Sequence, residues 1–192
     1  FVGGMFNRIR TGPAEVDEGT AQNFLAAFDV NTGDFIDSCR PTLDAPVYAL
    51  GQIGGSLVVG GEFTSLDGQA GTGGLTALDP ATCQLADGWV GGVDRPWSGE
   101  RPVVRAIETA GDQLYVAGNF SHHVPLDGGA PTQLFKAMRT DANGRVDPGW
   151  RPEVMSRGVW DLAVDTERNR VVLGGFFSSI GGEPDTDWIA AV

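Results

Sequence analysis

The stretch Val59-Gly60-Gly61-Glu62-Phe63 decides the fold, because closely related five-residue stretches occur at three other places in the chain. The other copies begin at Val2, Val116 and Leu173, so successive copies are always 57 residues apart. A fixed period of this length is typical of proteins in which one supersecondary unit is repeated along the chain. The spacing therefore predicts four related structural units.

Each unit is predicted to contain four short antiparallel strands, which are clearest in the second unit. An apolar first strand covers residues 46–50, and a Gly-Gly turn at residues 53–56 joins it to a second strand at residues 57–63. A loop leads to a third strand at residues 75–79 and, after a turn, to a short polar fourth strand at residues 85–89. Gly, Asp and Asn residues between apolar runs are hairpin signals. The corresponding fourth strands are predicted at residues 35–39 and 145–150.

Four short antiparallel strands repeated at a fixed period are typical of the blades of a β-propeller. The apolar residues show no helical spacing over a useful length, and a β-sandwich gives no reason for a 57-residue period. The predicted fold class is all-β, part of a single propeller domain, with partial blades at residues 1–45 and 158–192 and complete blades at 46–101 and 102–157. A closed propeller needs about six to eight such units. The chain is therefore expected to be an open fragment, about three and a half blades of a longer polypeptide.

The charge balance excludes some classes of partner. The chain has 13 basic and 25 acidic residues, a net charge of −12, and Lys136 is its only lysine. An acidic surface without a basic cluster repels phosphate groups, so nucleic acid and anionic membrane are not expected partners. No apolar run in the sequence approaches the ~20 residues of a membrane-spanning helix, so membrane insertion is not expected.

The repeated motifs together resemble a known family. The pattern is Val/Leu-Gly-Gly-x-Phe-[Thr/Ser]-Ser-[Leu/Ile]-x-Gly-[Gln/Glu], then Leu-x-Ala-Leu-Asp, then Asp-Pro-Gly-Trp. It resembles the delta-60-type β-propeller repeats of large bacterial secreted and surface proteins, and similar strand motifs occur in the propeller of a fungal cortical bud-site protein. The resemblance covers essentially the whole chain and implies a propeller fold and an extracellular or cell-envelope location. It supplies no catalytic residues, and Ala117 and Cys39 depart from the pattern.

The glycine pairs and the phenylalanines of the motif are interpreted as packing devices. A phosphate-binding glycine loop needs a strand-to-helix turn, and no helix is predicted after the motif. Glycine lacks Cβ, so a neighbouring blade or an aromatic ring can approach closely. The phenylalanines recur at one blade position, which favours an inter-blade core over an exposed carbohydrate platform. They are Phe6, Phe63, Phe120 and Phe177, and Trp89 and Trp150 recur at approximately the same interval.

Two groups of residues were considered as metal ligands. Asp141, Asn143 and Asp147 place oxygen ligands at alternate positions, which is a weak calcium signal because the distal glutamate is missing and the segment overlaps a hairpin turn. His122 and His123 are adjacent, so on a strand they would point to opposite faces and would not chelate one metal. They are predicted to lie on a variable loop, and no cofactor is expected apart from calcium as an alternative.

Two further pairs follow from positions in the repeat. Arg105 and Asp161 align with Ala49 in successive first strands, which predicts an inter-blade ion pair near the propeller axis or solvated channel residues. The functional alternative is that they bind a polar ligand at the channel mouth. Cys39 ends one predicted fourth strand and Cys83 lies in the outer turn of the next blade, both at the periphery. A disulfide between them is an open alternative to two free thiols.

The preferred functional hypothesis is a non-enzymatic structural or interaction scaffold within a larger extracellular or cell-surface bacterial protein. Recognition would lie on the variable loops at residues 90–101 and 121–132, and the partners would be further blades of the same polypeptide or neighbouring protein chains. The alternatives are a glycan- or calcium-binding adhesin domain and the non-catalytic part of a secreted enzyme. No serine–histidine–acid arrangement or carboxylate pair of defined spacing is found in the sequence. An exposed aromatic cluster would favour the glycan alternative.

Overall fold

The computed structural model describes residues 1–10, 12, 18–96, 98–183, 186 and 188–192. The described residues form short β-strands and contain no helix. The strands, in chain order, are β1 (Val2–Gly3), β2 (Arg8–Ile9), β3 (Thr20–Ala21), β4 (Leu25–Ala26), β5 (Val47–Ile53), β6 (Ser56–Gly61), β7 (Leu75–Leu78), β8 (Gly91–Asp94), β9 (Val103–Ala110), β10 (Gln113–Asn119), β11 (His122–Pro125), β12 (Thr132–Gln133), β13 (Ala137–Thr140), β14 (Met155–Asp165), β15 (Arg170–Ser179) and β16 (Ile189–Ala191).

The strand that carries the glycine motif lies at the centre of each main sheet. The orders are β5-β6-β7, β9-β10-β13 and β14-β15-β16, and every neighbouring pair in them is antiparallel. Strands β1 and β4 form a two-stranded sheet with the same pairing of a motif strand and the strand after it. The prediction of an all-β chain built from small antiparallel sheets is therefore confirmed. We refer to residues 1–45, 46–101, 102–157 and 158–192 as units 1 to 4.

The predicted fourth strands at residues 35–39, 85–89 and 145–150 are wrong as full strands. Each is reduced to one isolated bridge, Phe28 with Phe35, Leu78 with Leu85 and Thr140 with Val146. In unit 3 the reason is local, because Pro148 has no N–H to donate and the Gly149 N–H donates to Asp147 Oδ1 at 2.7 Å. The chain turns away from the sheet directly after the bridge.

The two glycines of the motif serve different contacts. A Cβ on Gly60 would lie 2.5 Å from Val104 Cγ1, which belongs to the first strand of the next sheet. A Cβ on Gly61 would lie 2.3 Å from the carbonyl oxygen of Pro46, in its own unit. Both distances are too short for a real side chain, so the first glycine allows two sheets to pack and the second allows two backbones to approach. The interpretation of the glycine pairs as packing devices is confirmed.

The hydrophobic core lies between successive sheets. One cluster joins Leu25 of unit 1 to Phe63 of unit 2, a second joins units 2 and 3 around Phe120, and a third joins units 3 and 4 around Phe177. These three phenylalanines are buried, as the packing interpretation predicts, and Phe6 is partly buried. The main contacts between sheets follow chain order, from β1 to β5, from β5 to β9 and from β9 to β14, and the described residues do not close into a ring.

An additional sheet, of order β12-β11-β8, forms from the two segments that were predicted to be variable loops. Strand β8 lies in the last segment of unit 2, and strands β11 and β12 lie in the insertion of unit 3. His122 pairs with Asp94 on one side and with Gln133 on the other. The prediction that His122 and His123 lie on a loop is therefore wrong, because hydrogen bonding between the two segments turns both into strands and buries both imidazoles.

The junctions between units use one equivalent position in two ways. Cys39 of unit 1 forms a disulfide with Cys83 of unit 2, with a Cα–Cα distance of 5.4 Å. Trp89, which takes the place of Cys39 in unit 2, lies against Gly144 of unit 3, where an added Cβ would be 3.0 Å from the indole ring. Cys83 and Gly144 each precede the bridge of their unit by two residues and have positive φ, 59° and 80°. The two junctions are therefore geometrically equivalent.

Candidate functional site

A bulge places one extra residue in the first strand of each main sheet. In unit 2 Val47 pairs with Gly61 and Ala49 pairs with Gly60, which leaves Tyr48 as the extra residue. The same register shift leaves Arg105 in unit 3 and Trp160 in unit 4. All three side chains are exposed. Bulges commonly redirect a side chain out of the sheet, so these equivalent positions display variable residues at one end of the sheets.

In unit 2 the bulge residue Tyr48 contacts the variable residue of the glycine motif. Tyr48 Oη donates to Glu62 Oε2 at 3.0 Å, and the Arg105 guanidinium carbon lies 5.6 Å from the Tyr48 ring centroid. Burial raises the pKa of the Tyr48 hydroxyl, and the hydrogen bond to Glu62 raises it further. Tyr48 therefore stays a neutral donor at physiological pH. Arg105 comes from the next unit, so this group of three side chains spans a junction.

A second recurrent position has left-handed backbone. This position lies directly before the third strand of each unit. Its φ is 64° at Phe24, 66° at Gly74, 68° at Lys136 and 73° at Trp188. The carbonyl oxygen of each accepts the N–H of the second motif glycine, for example Gly118 N to Lys136 O at 2.9 Å. Bulky residues rarely adopt this conformation, and strain of this kind concentrates at functional sites. The turn thus holds large side chains where glycine would be unstrained.

The left-handed residues also contact the variable motif residue. Lys136 Nζ donates to Asn119 Oδ1 at 3.0 Å, and burial lowers the pKa of Lys136, as does nearby Arg95. The ring centroids of Phe176 and Trp188 lie 4.7 Å apart in an edge-to-face arrangement. We use the name end surface for the exposed side of these bulge, motif and left-handed positions together with the neighbouring Arg157. Its residues are Tyr48, Glu62, Arg105, Asn119, Lys136, Arg157, Trp160, Phe176 and Trp188.

Aromatic and cationic side chains dominate the end surface in unit 4. The Arg157 guanidinium carbon lies 5.0 Å from the Phe176 ring centroid. Trp160 and Trp188 are 65% and 57% exposed, which is unusual for tryptophan, and the rings of Trp188 and Phe176 form an accessible aromatic cluster in unit 4. An exposed aromatic cluster is the feature that would favour the glycan alternative over the scaffold.

The calcium candidates are engaged with protein groups. Asp141 Oδ1 accepts the N–H groups of Asn143 and Arg145 at 2.8 and 2.9 Å. Asp147 Oδ2 accepts Arg139 Nε at 2.9 Å. The hydrogen bond from Arg139 and that from the Gly149 N–H lower the pKa of Asp147. The carboxylates stabilise the turn around them, and among the residues that the structure describes no group of three or more His, Cys, Asp or Glu side chains is arranged to hold a metal ion.

Arg105 and Asp161 are not brought together. The ion pairs found among the described residues do not include this pair, and Asp161 Oδ1 instead accepts its neighbour's Leu162 N–H at 2.9 Å. The alignment of Arg105 with Asp161 was also wrong. The register shows that Asp161 is equivalent to Ala106 and Ala49, whereas Arg105 is the bulge residue. A bulge cannot be read from the spacing of the motifs.

The structure does bring Cys39 and Cys83 together, as the open disulfide alternative allowed. Both cysteines are buried in a small cluster with Ala27. His122 Nδ1 lies 2.9 Å from Ser121 Oγ, and burial lowers the pKa of both His122 and His123. The two imidazoles are on opposite faces of β11, as the alternation of a strand predicts.

The bulge residues and the left-handed residues are not predicted by the sequence. The only available signal was the variable residue of the glycine motif, which reads Met5, Glu62, Asn119 and Phe176 in the four copies. In the described part of the chain no helix is of a length and hydropathy suited to crossing a membrane. No protein-family model matches the chain, and no curated protein is significantly similar to it.

Proposed function

We propose that the chain is a non-enzymatic interaction module made of propeller blades of the delta-60 type. In this proposal the sheets are a scaffold within a larger extracellular or cell-surface bacterial protein. The shared strand order of the main sheets and their packing in chain order support the blade architecture. The buried Cys39–Cys83 disulfide supports an oxidising compartment, because such bonds are rare in the cytosol.

The end surface is the observation that carries the proposal. One backbone position, the bulge, recurs at the same end of three successive sheets, while its side chain changes from tyrosine to arginine to tryptophan. A constant backbone with variable exposed side chains at fixed positions suits recognition, in the same way that loops on a rigid scaffold do. Strained left-handed backbone at Lys136 and Trp188 supports the same interpretation.

Glycan recognition is the second candidate, and the aromatic cluster of unit 4 favours it. Exposed Trp160 and Trp188 offer apolar ring faces, and Arg157 and Phe176 add a guanidinium donor beside another ring. Sugar rings have one apolar face and hydroxyl groups at the edge, which match this combination. Calcium binding at residues 141–147 is less well supported, since Asp141 and Asp147 already accept hydrogen bonds. Further units of the same polypeptide or neighbouring chains are the other proposed partners.

The test compares two ends of the sheets. The chain would be incubated with cell-envelope proteins and with a glycan array, and bound molecules would be identified by cross-linking and mass spectrometry. The triple variant Tyr48→Ala/Arg105→Ala/Trp160→Ala is expected to lose at least tenfold in affinity. The matched control Asp112→Ala/Glu167→Ala changes exposed residues at the opposite end and is expected to bind normally. Equal binding by the triple variant, or loss in the control alone, would show that the end surface is not the recognition site.

A further inference from the structure

A pocket of about 580 Å³ lies where units 2 and 3 meet the additional β12-β11-β8 sheet. Unit 2 contributes Trp89, the turn of unit 3 contributes Arg145, and the insertion contributes His123, Asp127 and Thr132. The volume is in the range of small-molecule sites. The pocket shares no residue with the end surface, so its function is independent of the function proposed above.

Two residues that line this pocket each carry a buried ring nitrogen without a hydrogen-bond partner among the residues that the structure describes. Trp89 and His123 line it and are each only 6% exposed, and within the described structure neither Trp89 Nε1 nor His123 Nε2 makes a hydrogen bond. A buried polar group without a partner costs about 1–3 kcal/mol. Two such groups beside one cavity are the kind of exception that requires an explanation.

A glycine lets each of the two rings lie close to the backbone. A Cβ on Gly91 would lie 2.9 Å from His123 Nε2, and a Cβ on Gly144 would lie 3.0 Å from the six-membered ring of Trp89. A phenylalanine at position 89 or 123 would fill similar space and would carry no unpartnered nitrogen. The arrangement therefore keeps two polar ring atoms at a place where packing alone does not need them.

The other polar groups of the pocket identify the chemical class of the ligand. Exposed Asp127, Thr132 and Arg145 supply an acceptor, a hydroxyl and a donor, respectively. Arg145 Nη1 is 3.6 Å from Asp141 Oδ2, so its charge is already partly balanced and the pocket has no excess of positive charge. Pro125, Leu126 and Val146 provide apolar wall. Mixed donors and acceptors around an apolar wall suit a neutral, polyhydroxylated ring.

We propose that this pocket binds a neutral pyranose residue, whose hydroxyl groups hydrogen-bond to Trp89 Nε1 and His123 Nε2. The indole N–H only donates, whereas the imidazole nitrogen donates or accepts according to its tautomer. A hydroxyl group both donates and accepts, so it satisfies either form. Both nitrogens are covered by neighbouring atoms, and binding therefore includes a small displacement of the pocket wall.

The test uses the indole N–H signals in ¹H–¹⁵N NMR spectra of the whole chain, which contains five tryptophans. The probes are glucose, galactose, mannose and N-acetylglucosamine with their short oligosaccharides, and glucuronate and galacturonate serve as charged comparators. At least one neutral sugar is expected to shift the Trp89 indole signal and not that of Trp150. The Trp89→Phe and Trp150→Phe variants assign the two signals.

The variants also test affinity. Trp89→Phe and His123→Phe each remove one nitrogen and keep a ring, and each is expected to weaken sugar binding about tenfold, as loss of one hydrogen bond of about 1.4 kcal/mol implies. Trp150→Phe, at the equivalent position of unit 3, is expected to bind normally. If no neutral sugar shifts the Trp89 signal, if only the uronates do, or if folded His123→Phe protein binds as well as the original, the proposal is wrong. A stability gain in His123→Phe without any sugar binding would identify the nitrogen as a structural defect.

Discussion

The junction between units 1 and 2 and the junction between units 2 and 3 form at equivalent positions of the units but use different chemistry. The first is the covalent bond between Cys39 and Cys83. The second is the contact of the Trp89 indole of unit 2 with Gly144 of unit 3. The turn residue has positive φ in both, which lets the partner side chain approach the backbone. The disulfide between two small residues in the first junction thus takes the place of the tryptophan ring packed against a glycine in the second.

The comparison shows what the junction has to provide. Cys39 and Cys83 are buried with Ala27 in a cluster of three small side chains, whereas Trp89 belongs to the largest of the hydrophobic clusters. Where little apolar area is available, a cross-link limits the freedom of the unfolded chain. Where a tryptophan is present, its buried apolar area stabilises the junction without a covalent bond. Two substitutions, tryptophan for Cys39 and glycine for Cys83, separate these two mechanisms.

The largest expected effect is that of Trp89→Ala. Removing a buried tryptophan leaves a cavity and costs about 3–5 kcal/mol in the free energy of unfolding. The measurement is guanidinium-induced unfolding followed by circular dichroism. Trp160→Ala, which truncates a tryptophan that is 65% exposed, is the control and is expected to stay within about 0.5 kcal/mol. A loss below about 1 kcal/mol for Trp89→Ala would mean that the indole does not hold units 2 and 3 together.

Removal of the disulfide is expected to rank second. The cysteines are 44 residues apart in sequence, and the double variant Cys39→Ala/Cys83→Ala is expected to lose about 2–4 kcal/mol in the free energy of unfolding. Unfolding in the presence and absence of a reducing agent provides the control, because the reductant should destabilise the original protein and leave the double variant unchanged. Identical unfolding curves for the original and double-variant proteins would remove the cross-link from the comparison.

The smallest effect is a difference between two glycines. Gly33 and Gly144 both precede the bridge of their unit and have φ of 76° and 80°. An added Cβ meets nothing within 4 Å at Gly33 but lies 3.0 Å from the Trp89 ring at Gly144. Alanine at either position costs about 1–2 kcal/mol for left-handed backbone, and Gly144→Ala is expected to cost about 1 kcal/mol more for the contact. Thermal unfolding of both variants measures the difference, and equal losses would show that Trp89 yields without cost.

The sequence predicted the sheets well because one short motif fulfils two requirements at once. Gly60 allows two sheets to pack closely, and Gly61 allows two backbone segments to approach each other. Both contacts require a residue without Cβ, so the glycine pair can be recognised in the sequence as a packing signal. The fourth strand of unit 3 is shorter than predicted because the Asp147 side chain closes a turn within the Asp-Pro-Gly segment. Local hydrogen bonding of this kind competes with strand pairing and leaves no trace in apolar periodicity.

The candidate site was harder to predict than the fold. The position of Arg105 depends on a bulge, and a bulge is a difference in register between two strands, which a spacing of motifs along one chain does not contain. Trp188 and Lys136 take a conformation that sequence rules assign to glycine, so they could not be recognised as turn residues. The burial of His123 depends on the pairing of β8 with β11, two segments of different units.

That pairing between β8 and β11 has a consequence for how this protein can change over time. The two segments belong to different units, yet hydrogen bonds join them, for example from the Leu126 N–H to the Val90 carbonyl oxygen at 2.7 Å. Shortening either segment alone would leave backbone groups of the other without partners. The two segments are therefore expected to be gained, lost or transplanted as one heritable piece, and an engineer who grafts one of them onto another repeat would have to move both.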